Sequence, residues 1–374
     1  MNVLIVFNHP APYKVRVFNE LAKHVNLTVI FERDKESNRP DEFYSGNKFE
    51  FKYIILKDHY IAHDGSYSNY VRNYIKEHHS EFDHIVMNGY KHIAEMKAIK
   101  YMYKHGIKFS LLINGGIKKE KEFFVKRNLK TYYIPKADFY MSPSINSDEY
   151  LKFYGVKKDR IFRYKYSNHS KEDILVDVVD KIAIRERYNL PVDKKIFVNA
   201  AQFIDRKNNL LLLSLFKDSE DFLLLIGDGP ELNKYLDYIE DNNMKNVRIM
   251  PFQDRKDLFE IFSASDVYIT LAKEDIFGHT VLEAMANGLP VISSINVNSG
   301  LEFIKDGSNG FLVQLDNIPL IKSRIEDAKE ISSKGPVETA KLYTFEESAR
   351  IKTIVYYDQN DEVSQTYWEY GKDE

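Results

Sequence analysis

The sequence predicts an α/β protein built from two doubly wound, parallel-sheet domains facing a central cleft. Three observations carry that expectation. The chain of 374 residues exceeds the roughly 100–200 of a single domain. Val3–Phe7 and Leu27–Phe31 are short apolar runs on either side of a helical stretch, the strand, helix, strand order of a parallel sheet covered on both faces. The same alternation restarts at Lys195–Asn199 and Phe222–Ile226, after the aperiodic polar stretch Arg163–Asn168. Hydrophobic residues make up 44% of the chain, enough to fill two cores.

Taken in order, Val3–Phe7 is a buried first strand, the stiff turn Asn8–Tyr13 follows, and a helix is expected over Lys14–His24. In doubly wound sheets the loops after the strands face the ligand crevice, which makes His9, Lys14 and Arg16 candidates. Tyr53–Leu56 is a further strand, Ile61–Tyr70 a polar aromatic loop bordering the ligand crevice, and Tyr70–His78 a helix. His84–Met87 leads into Asn88-Gly89-Tyr90-Lys91-His92, and Lys108–Ile113 into Asn114-Gly115-Gly116. Asn88, His92, Asn114 and Gly115 therefore join the candidates at strand ends. Gly115–Lys130 places Lys118, Lys119, Lys121, Lys126, Arg127 and Lys130 around Phe123, Phe124 and Val125, a segment suited to an anionic bilayer. Ala137–Pro143 reads as a strand with a turn and Glu149–Gly155 as a helix closed by glycine.

The hinge between domains is expected near Tyr166–Asp173, and a helix over Val176–Tyr188 precedes the second sheet. Its first strand ends at Asn199 and runs into a loop holding Arg206 and Lys207, two adjacent cations placed to neutralise a pyrophosphate. Gly227-Asp228-Gly229-Pro230 is a tight turn before the helix Glu231–Asp241, and Arg248–Phe252 is a strand whose end offers Phe252 as a wall for a base. Phe345–Glu374 reads as a helix with aromatics at Tyr356, Tyr357, Tyr367, Trp368 and Tyr370, followed by a polar tail.

The most specific stretch is Lys273–Ile292. Glu274 and Asp275 precede the Phe277-Gly278 turn, and the rest reads as a helix closed by Gly288-Leu289-Pro290. Asp275 and Glu283 lie eight positions apart, one at the loop mouth and one about two turns into the helix, within reach of one ligand lying across the helix start. The amides of Gly278, His279 and Thr280 are then free donors at the positive helix end, which suits a phosphate. An anion flanked by two hydroxyl-binding acids suggests a sugar nucleotide. Arg206 and Lys207 are expected to form the wall opposite this stretch.

The run D-I-F-G-H-T-V-L-E-A-M-A-N-G-L-P-V-I resembles the E-x7-E region of retaining glycosyltransferases of family 4, glycosyl transferases group 1, which have the two-domain GT-B fold. Arg206-Lys207, the Gly227–Pro230 turn and Ser299–Val313 extend the resemblance almost continuously from Ile196 to Val313, while residues 1–170 share only the layout. Asp275 stands where the family has Glu, with Glu274 beside it, so either acid could make the first contact. The resemblance implies an N-terminal acceptor-binding domain over residues 1–168, a nucleotide-sugar-binding domain over 169–345, and a C-terminal helix, 346–374, returning to the first domain. It also implies that a nucleoside diphosphate sugar, with UDP as the expected nucleotide, gives its sugar to a hydroxyl of a glycan or lipid-linked acceptor in surface polysaccharide or glycoconjugate synthesis. Asp275 or Glu274, Glu283, Arg206 and Lys207 would carry the chemistry. Phe252, Gly278, His279, Thr280, Glu283 and Asn199 would bind the donor. No cofactor and no metal is expected, because no Asp-x-Asp follows a strand suitably and the two basics with the helix amides can stabilise the leaving charge. The family's first-domain histidine matches no single position, with His92 and the Asn114 turn as candidates. A sugar phosphorylase or synthase with a small soluble acceptor, and a non-catalytic sugar-nucleotide binder, are the rival readings.

The net charge of −3 hides +10 over residues 1–170 against −13 over residues 171–374, and ten of eleven histidines lie in the first part. Such a basic half suits an anionic membrane surface, and its aromatics form no RNA-binding motif, so no nucleic acid is expected. The absence of cysteine excludes disulfides and thiolate metal sites and fits a reducing cytoplasm. Neither a signal peptide nor a spanning helix is evident, which gives the expectation of a cytoplasmic protein peripheral to the inner face of the membrane.

Overall fold

The computed structural model describes residues 1–36, 44, 46–56, 67–118, 122–175 and 179–359. The chain divides into two compact units, Met1–Ser167 with the segment from Phe345 onward, and Asn168–Thr344. Each is a parallel sheet of the doubly wound type.

In the first unit the strands are β1 (Asn2–Phe7), β2 (Asn26–Phe31), β3 (Lys52–Ile55), β4 (His84–Met87), β5 (Ser110–Leu112), β6 (Phe139–Ser142) and β7 (Ile161–Arg163), in the order β3-β2-β1-β4-β5-β6-β7. β1 pairs on both sides, Val3 facing Leu27 on one strand and His84 on the other, so the chain reverses direction of travel across the sheet at β1. Helices cover both faces, and Val3, Leu4, Ile5 and Val6 are therefore fully buried. That is the physical reason for a continuous apolar run instead of an alternating one.

The helices of this unit are α1 (Pro12–Ala22), α2 (Tyr67–His78), α3 (Ile93–His105), α4 (Phe124–Tyr133) and α5 (Ile145–Phe153). α1 starts two residues before the expected Lys14 because Pro12 supplies a preset φ at the first turn, where its missing N–H costs nothing. α2 begins at Tyr67, earlier than the expected Tyr70, and the expected loop before it lies largely outside the described residues. β7 corrects the reading of Arg163 as connection: Tyr140–Ser142 pairs with Ile161–Arg163 and so extends the sheet by one strand. The helix Phe345–Asp358 belongs to this unit and packs along α1. From it Tyr356 sets its ring 4.8 Å from that of His84. Tyr367, Trp368 and Tyr370 lie outside the described residues.

The first α-helix of the second unit is α6 (Lys181–Arg187), capped by the Asp180 side chain, shorter than the expected Val176–Tyr188. Residues 176–178 are outside the described set. Its strands are β8 (Ile196–Ala200), β9 (Phe222–Ile226), β10 (Val247–Met250), β11 (Val267–Thr270), β12 (Val291–Ser294) and β13 (Gly310–Val313), ordered β10-β9-β8-β11-β12-β13. The helices are α7 (Asn209–Phe216), α8 (Leu232–Asp241), α9 (Arg255–Ala264), α10 (His279–Ala286), α11 (Asn298–Phe303), α12 (Ile318–Ala328) and α13 (Lys334–Lys341). The core is formed by Phe197, Leu213, Phe216, Leu225, Ile269 and Ile292 from facing strands and helices. Gly227 is required: a Cβ there would sit 1.9 Å from the Ala201 carbonyl oxygen, so the turn after β9 closes onto the β8 loop only without a side chain.

Candidate functional site

In the second sheet β8 lies between β9 and β11, and the order of strands reverses there. Loops leaving β8 and β11 are consequently neighbours at the carboxyl edge, the place where doubly wound sheets hold ligands. Arg206 and Lys207 come from the first loop, in a short 3₁₀ turn, Asp205–Lys207. Glu274 and Asp275 come from the second. Lys207 Nζ donates to Asp275 Oδ2 at 2.5 Å, with both side chains about 13–14% exposed, and Arg206 Nη1 stands 3.9 Å from Oδ1 while donating to the Glu274 carbonyl at 3.1 Å. Lys273 N in turn donates to the Arg206 carbonyl at 2.8 Å. The two basics and the first acid thus form one ion-paired edge, and the expectation that they stand as opposite walls is corrected. The reason is strand adjacency, which periodicity along the chain does not encode.

Asp275 is held through its main chain as well. Its N–H donates to Asn296 O at 3.0 Å and its carbonyl accepts from Asn298 N at 3.3 Å. Gly278 follows at φ +87°, the N-cap of α10. A Cβ at that position would meet Val297 Cγ1 at 2.7 Å and Ser299 Oγ at 2.8 Å, and Ser299 Oγ donates to the Gly278 carbonyl at 2.8 Å. The turn therefore packs against the start of α11, and its main chain approaches the helix end closely because no side chain intervenes. Thr280 Oγ1 bonds the buried Tyr268 hydroxyl at 2.5 Å, and the His279 carbonyl accepts from Asn168 Nδ2 at 2.8 Å. α10 ends at Ala286 with Asn287 as its C-cap; Leu289 N reaches back to Ala284 O at 3.0 Å across Gly288 at φ +79°, and Pro290 cannot continue the helix.

Glu283 lies on α10, its side chain 15% exposed. Arg255 Nη1 donates to its Oε1 at 3.0 Å, and Arg255 Nη2 donates to Asp173 Oδ2 at 3.0 Å. Burial pushes the Glu283 carboxyl up to about 7 against the pull of Arg255. Asp173 moves the other way: Arg255 and the Ser170 N–H and hydroxyl outweigh its burial and hold it below the usual carboxylate range. Sequence reasoning missed Arg255 and Asp173. One signal was available, since a cation in the first turn of α9 opposes the helix dipole and so asks for an acidic partner elsewhere.

Asn199 is buried inside β8, and its amide donates to Ile269 O at 2.7 Å, bridging the two strands at the switch point. Phe252 is 71% exposed at the end of β10.

The first sheet has its own polar edge. β1, β4 and β5 are successive neighbours, and the loops after them join Lys14, Asn114 and Asn88: Lys14 Nζ donates to Asn114 Oδ1 at 2.9 Å and Asn114 Nδ2 to Asn88 Oδ1 at 2.6 Å. Lys14 is buried, which lowers its pKa well below that of a free lysine, and Lys352 nearby lowers it further. Arg16 is exposed, and Gly115 carries the chain through at φ +143°. His9 bonds the Tyr44 hydroxyl at 3.1 Å.

His92 bonds Glu32, which lies at the end of β2 and was not anticipated, at 2.6 Å, and Arg33 donates to the other ring nitrogen at 2.7 Å. Glu95 accepts from the N–H groups of Lys91 and His92 at 2.6 and 3.0 Å. Burial, reinforced by the Glu32 charge, pushes Glu95 up to about 7. Among the described residues Glu32, His92 and Glu95 are the one cluster with ligand atoms close enough for a cation, all within 4.8 Å of one another. Arg33 on the imidazole and the two N–H donors on Glu95 already engage that cluster. No described helix is long and apolar enough to cross a membrane.

Comparison with known proteins bears on the second unit above all. A family model for glycosyl transferases group 1 matches residues 180–340. The chain is 26% identical over 140 residues to N-acetyl-alpha-D-glucosaminyl L-malate synthase of Bacillus anthracis, covering 36% of each chain. It is 35% identical over 125 residues to the UDP-Gal:alpha-D-GlcNAc-diphosphoundecaprenol alpha-1,3-galactosyltransferase of Escherichia coli, covering 33% of this chain and 29% of that one. The chain spans about a third of the length of these curated relatives. Solved structures extend the likeness in fold to both units. HepE of Anabaena in complex with UDP aligns with a TM-score of 0.77 at 15% identity over 96% of this chain and 100% of that one. The lipopolysaccharide outer core galactosyltransferase WaaB aligns at 0.73 and 16% identity over 96% and 100%. The two parallel-sheet units are those of a GT-B fold, and residues 180–340 form a glycosyl transferases group 1 domain within it.

Proposed function

We propose that the protein is a retaining, metal-independent glycosyltransferase of the family 4 type. It moves a sugar from a nucleoside diphosphate sugar, with UDP as the nucleotide, to a hydroxyl of a glycan or lipid-linked acceptor in surface polysaccharide or glycoconjugate synthesis. The observation that carries this reading is the pairing of Arg206 and Lys207 with Asp275 ahead of the start of α10, at the switch point of the second sheet, with Glu283 one turn along the same helix. A diphosphate fits the cations and the helix N-terminus, and two carboxylates fit hydroxyl groups on either side of it. Glu283 takes the ribose, and Asp275, rather than Glu274, takes the donor sugar, its main chain being pinned on both sides.

In the reaction the bond between the anomeric carbon and the phosphate oxygen breaks and the electron pair leaves with the diphosphate, where Arg206 and Lys207 offset the growing charge. The acceptor oxygen bonds the anomeric carbon from the same face, and its proton passes to the departing phosphate. The polar edge of the first sheet, His9, Asn88, His92, Asn114 and Lys14, is the acceptor side. UDP as the nucleotide is supported by the galactosyltransferase relative named for UDP-Gal and by the fold neighbour bound to UDP.

A thermal-shift panel of nucleoside diphosphates and their sugars tests the reading: UDP raises the midpoint, Glu283→Gln reduces that rise, and Glu283→Gln or Arg206→Ala abolishes transfer with the fold intact. Failure of every nucleotide to stabilise the protein, or normal turnover in either variant, would refute it, and EDTA should leave turnover unchanged.

The membrane surface is proposed as a second contact. Phe123, Phe124 and Val125 are 81%, 75% and 68% exposed at the start of α4, with Lys126 and Arg127 beside them. Lys119 and Lys121, counted with this patch in the sequence, lie outside the described residues. Burying an aromatic side chain contributes about 1.5–3 kcal/mol, so Phe123→Ser with Phe124→Ser should weaken flotation with phosphatidylglycerol vesicles at least about tenfold. Equal flotation of variant and parent would remove the membrane from the scheme.

A further inference from the structure

Glu283 is not held by its own helix. The group that meets it is Arg255, from the first turn of α9, and Arg255 is shared with Asp173, from the 3₁₀ turn Lys171–Asp173. That turn is itself rigid. Asp173 Oδ2 accepts from Ser170 N at 2.7 Å and from Ser170 Oγ at 2.9 Å. Two residues before Ser170, Asn168 donates to the His279 carbonyl in the first turn of α10. The segment that opens the second unit therefore grips α10 twice, directly at its first turn and through Arg255 at Glu283. Arg255 also lies over the Phe259 ring at 4.2 Å, which fixes the plane of the guanidinium so that each of its two terminal nitrogens serves one carboxylate.

The charged and titratable groups facing Glu283 come from three elements: Arg255 on α9, Asp173 on the 3₁₀ turn and Tyr268 on β11. Arg255 is the only cation that the structure pairs with the Glu283 carboxylate among the described residues. A carboxylate accepts from both hydroxyls of a ribose, whereas a protonated carboxyl gives up part of that acceptor capacity to its own proton.

We infer that Arg255 and Asp173 are positioning residues of the nucleotide site, acting in opposite senses on the charge of Glu283 and so making nucleotide affinity depend on pH. The inference rests on the reading above in which Glu283 holds the ribose. Arg255 favours the ionised acid and Asp173 opposes it, consistent with the effects of both on the Glu283 carboxyl. The anion-binding edge at Arg206 and Lys207 uses neither residue.

The test is calorimetric titration with UDP and, separately, with inorganic pyrophosphate between pH 6 and pH 9, on the full chain. The ionisation of the phosphate is common to every protein compared and cancels. For the parent, UDP affinity falls as pH drops through about 7, and Glu283→Gln loses that dependence. Arg255→Gln moves the fall to higher pH, leaving UDP about fivefold weaker at pH 7 for a displacement of one unit and recovering toward pH 9. Asp173→Asn moves it to lower pH, and Arg255→Lys restores part of the parent profile. Pyrophosphate binds equally to all of them. Should Arg255→Gln fail to fold, the opposite displacement in Asp173→Asn still decides the matter. An Arg255→Gln protein with the parent's UDP profile, or variants that weaken UDP and pyrophosphate alike at every pH, would overturn the inference while leaving the glycosyltransferase reading in place. A parent that binds pyrophosphate but not UDP would overturn both.

Discussion

Replacing Gly278 with alanine isolates what the turn before α10 contributes. Two costs follow from the geometry. At φ +87° a Cβ residue sits in the left-handed region, which costs about 1–2 kcal/mol. The added methyl would also lie 2.7 Å from Val297 Cγ1 and 2.8 Å from Ser299 Oγ, with Asp275 Oδ2 a further neighbour at 3.4 Å. Val297 is buried at 1% exposure and Ser299 at 0%, so neither can retreat into solvent, and overpacking of this kind costs about 1–3 kcal/mol. Together the loss is about 2–5 kcal/mol. For a unit of this size that lowers the midpoint of unfolding by roughly 5–15 °C.

Gly307 provides the control. It has φ +76°, but nothing lies within 4 Å of where its added methyl would stand, so Gly307→Ala should show the backbone cost alone, about 1–2 kcal/mol. Urea unfolding of both variants, followed by far-ultraviolet circular dichroism, gives the difference directly. If Gly278→Ala costs no more than Gly307→Ala, the close packing of the turn on α11 plays no part, and the argument for a glycine there fails. In a surviving Gly278→Ala protein, UDP affinity should also drop, because Val297 and Ser299, which must yield, flank Asn298, whose N–H holds the Asp275 carbonyl.

Other expectations follow from single interactions. Lys207→Met leaves Asp275 half-paired with only the more distant Arg206; removing one partner of a largely buried pair costs up to about 3 kcal/mol, measured by the same unfolding assay, and a cost below about 0.5 kcal/mol would mean that the pair is solvated. Glu95 has its folded pKa raised to about 7 from an ordinary value of 4.5, so the folded state holds the extra proton and the stability it contributes is full below about 4.5 and lost as pH rises through about 7. Glu95→Gln keeps an oxygen for the Lys91 and His92 N–H groups, and it should stabilise the protein at pH 8 relative to the parent but not at pH 4.5; equal effects at both values would contradict the charge argument.

Some features are decided by residue order alone. Parallel strands buried on both faces demand continuous apolar runs, and Val3–Phe7, Ile85–Met87, Ile196–Val198 and Phe222–Ile226 meet that demand, so the two-sheet α/β class is legible without coordinates. The same holds for α10, whose start at the Phe277-Gly278 turn and end at Gly288-Leu289-Pro290 are local backbone chemistry. Boundaries are less legible where local rules compete: Pro12 moves α1 forward, and Arg163, polar at the end of a short strand, reads as linker because three residues carry too little pattern to mark β7.

Which loops meet is settled by tertiary structure. Lys207 and Asp275 are 68 positions apart and pair because β8 and β11 are adjacent in the sheet. Glu32 and His92, 60 positions apart, meet because β2 and β4 flank β1. Strand order is a property of the whole sheet and leaves no periodic trace in either loop. Charge is decided at the same level, since Glu283 and Glu95 are ordinary acids as letters. Only burial and the neighbours brought to them, Arg255 and Asp173 for one and Glu32 for the other, move their ionisation into the range where it can govern binding or stability.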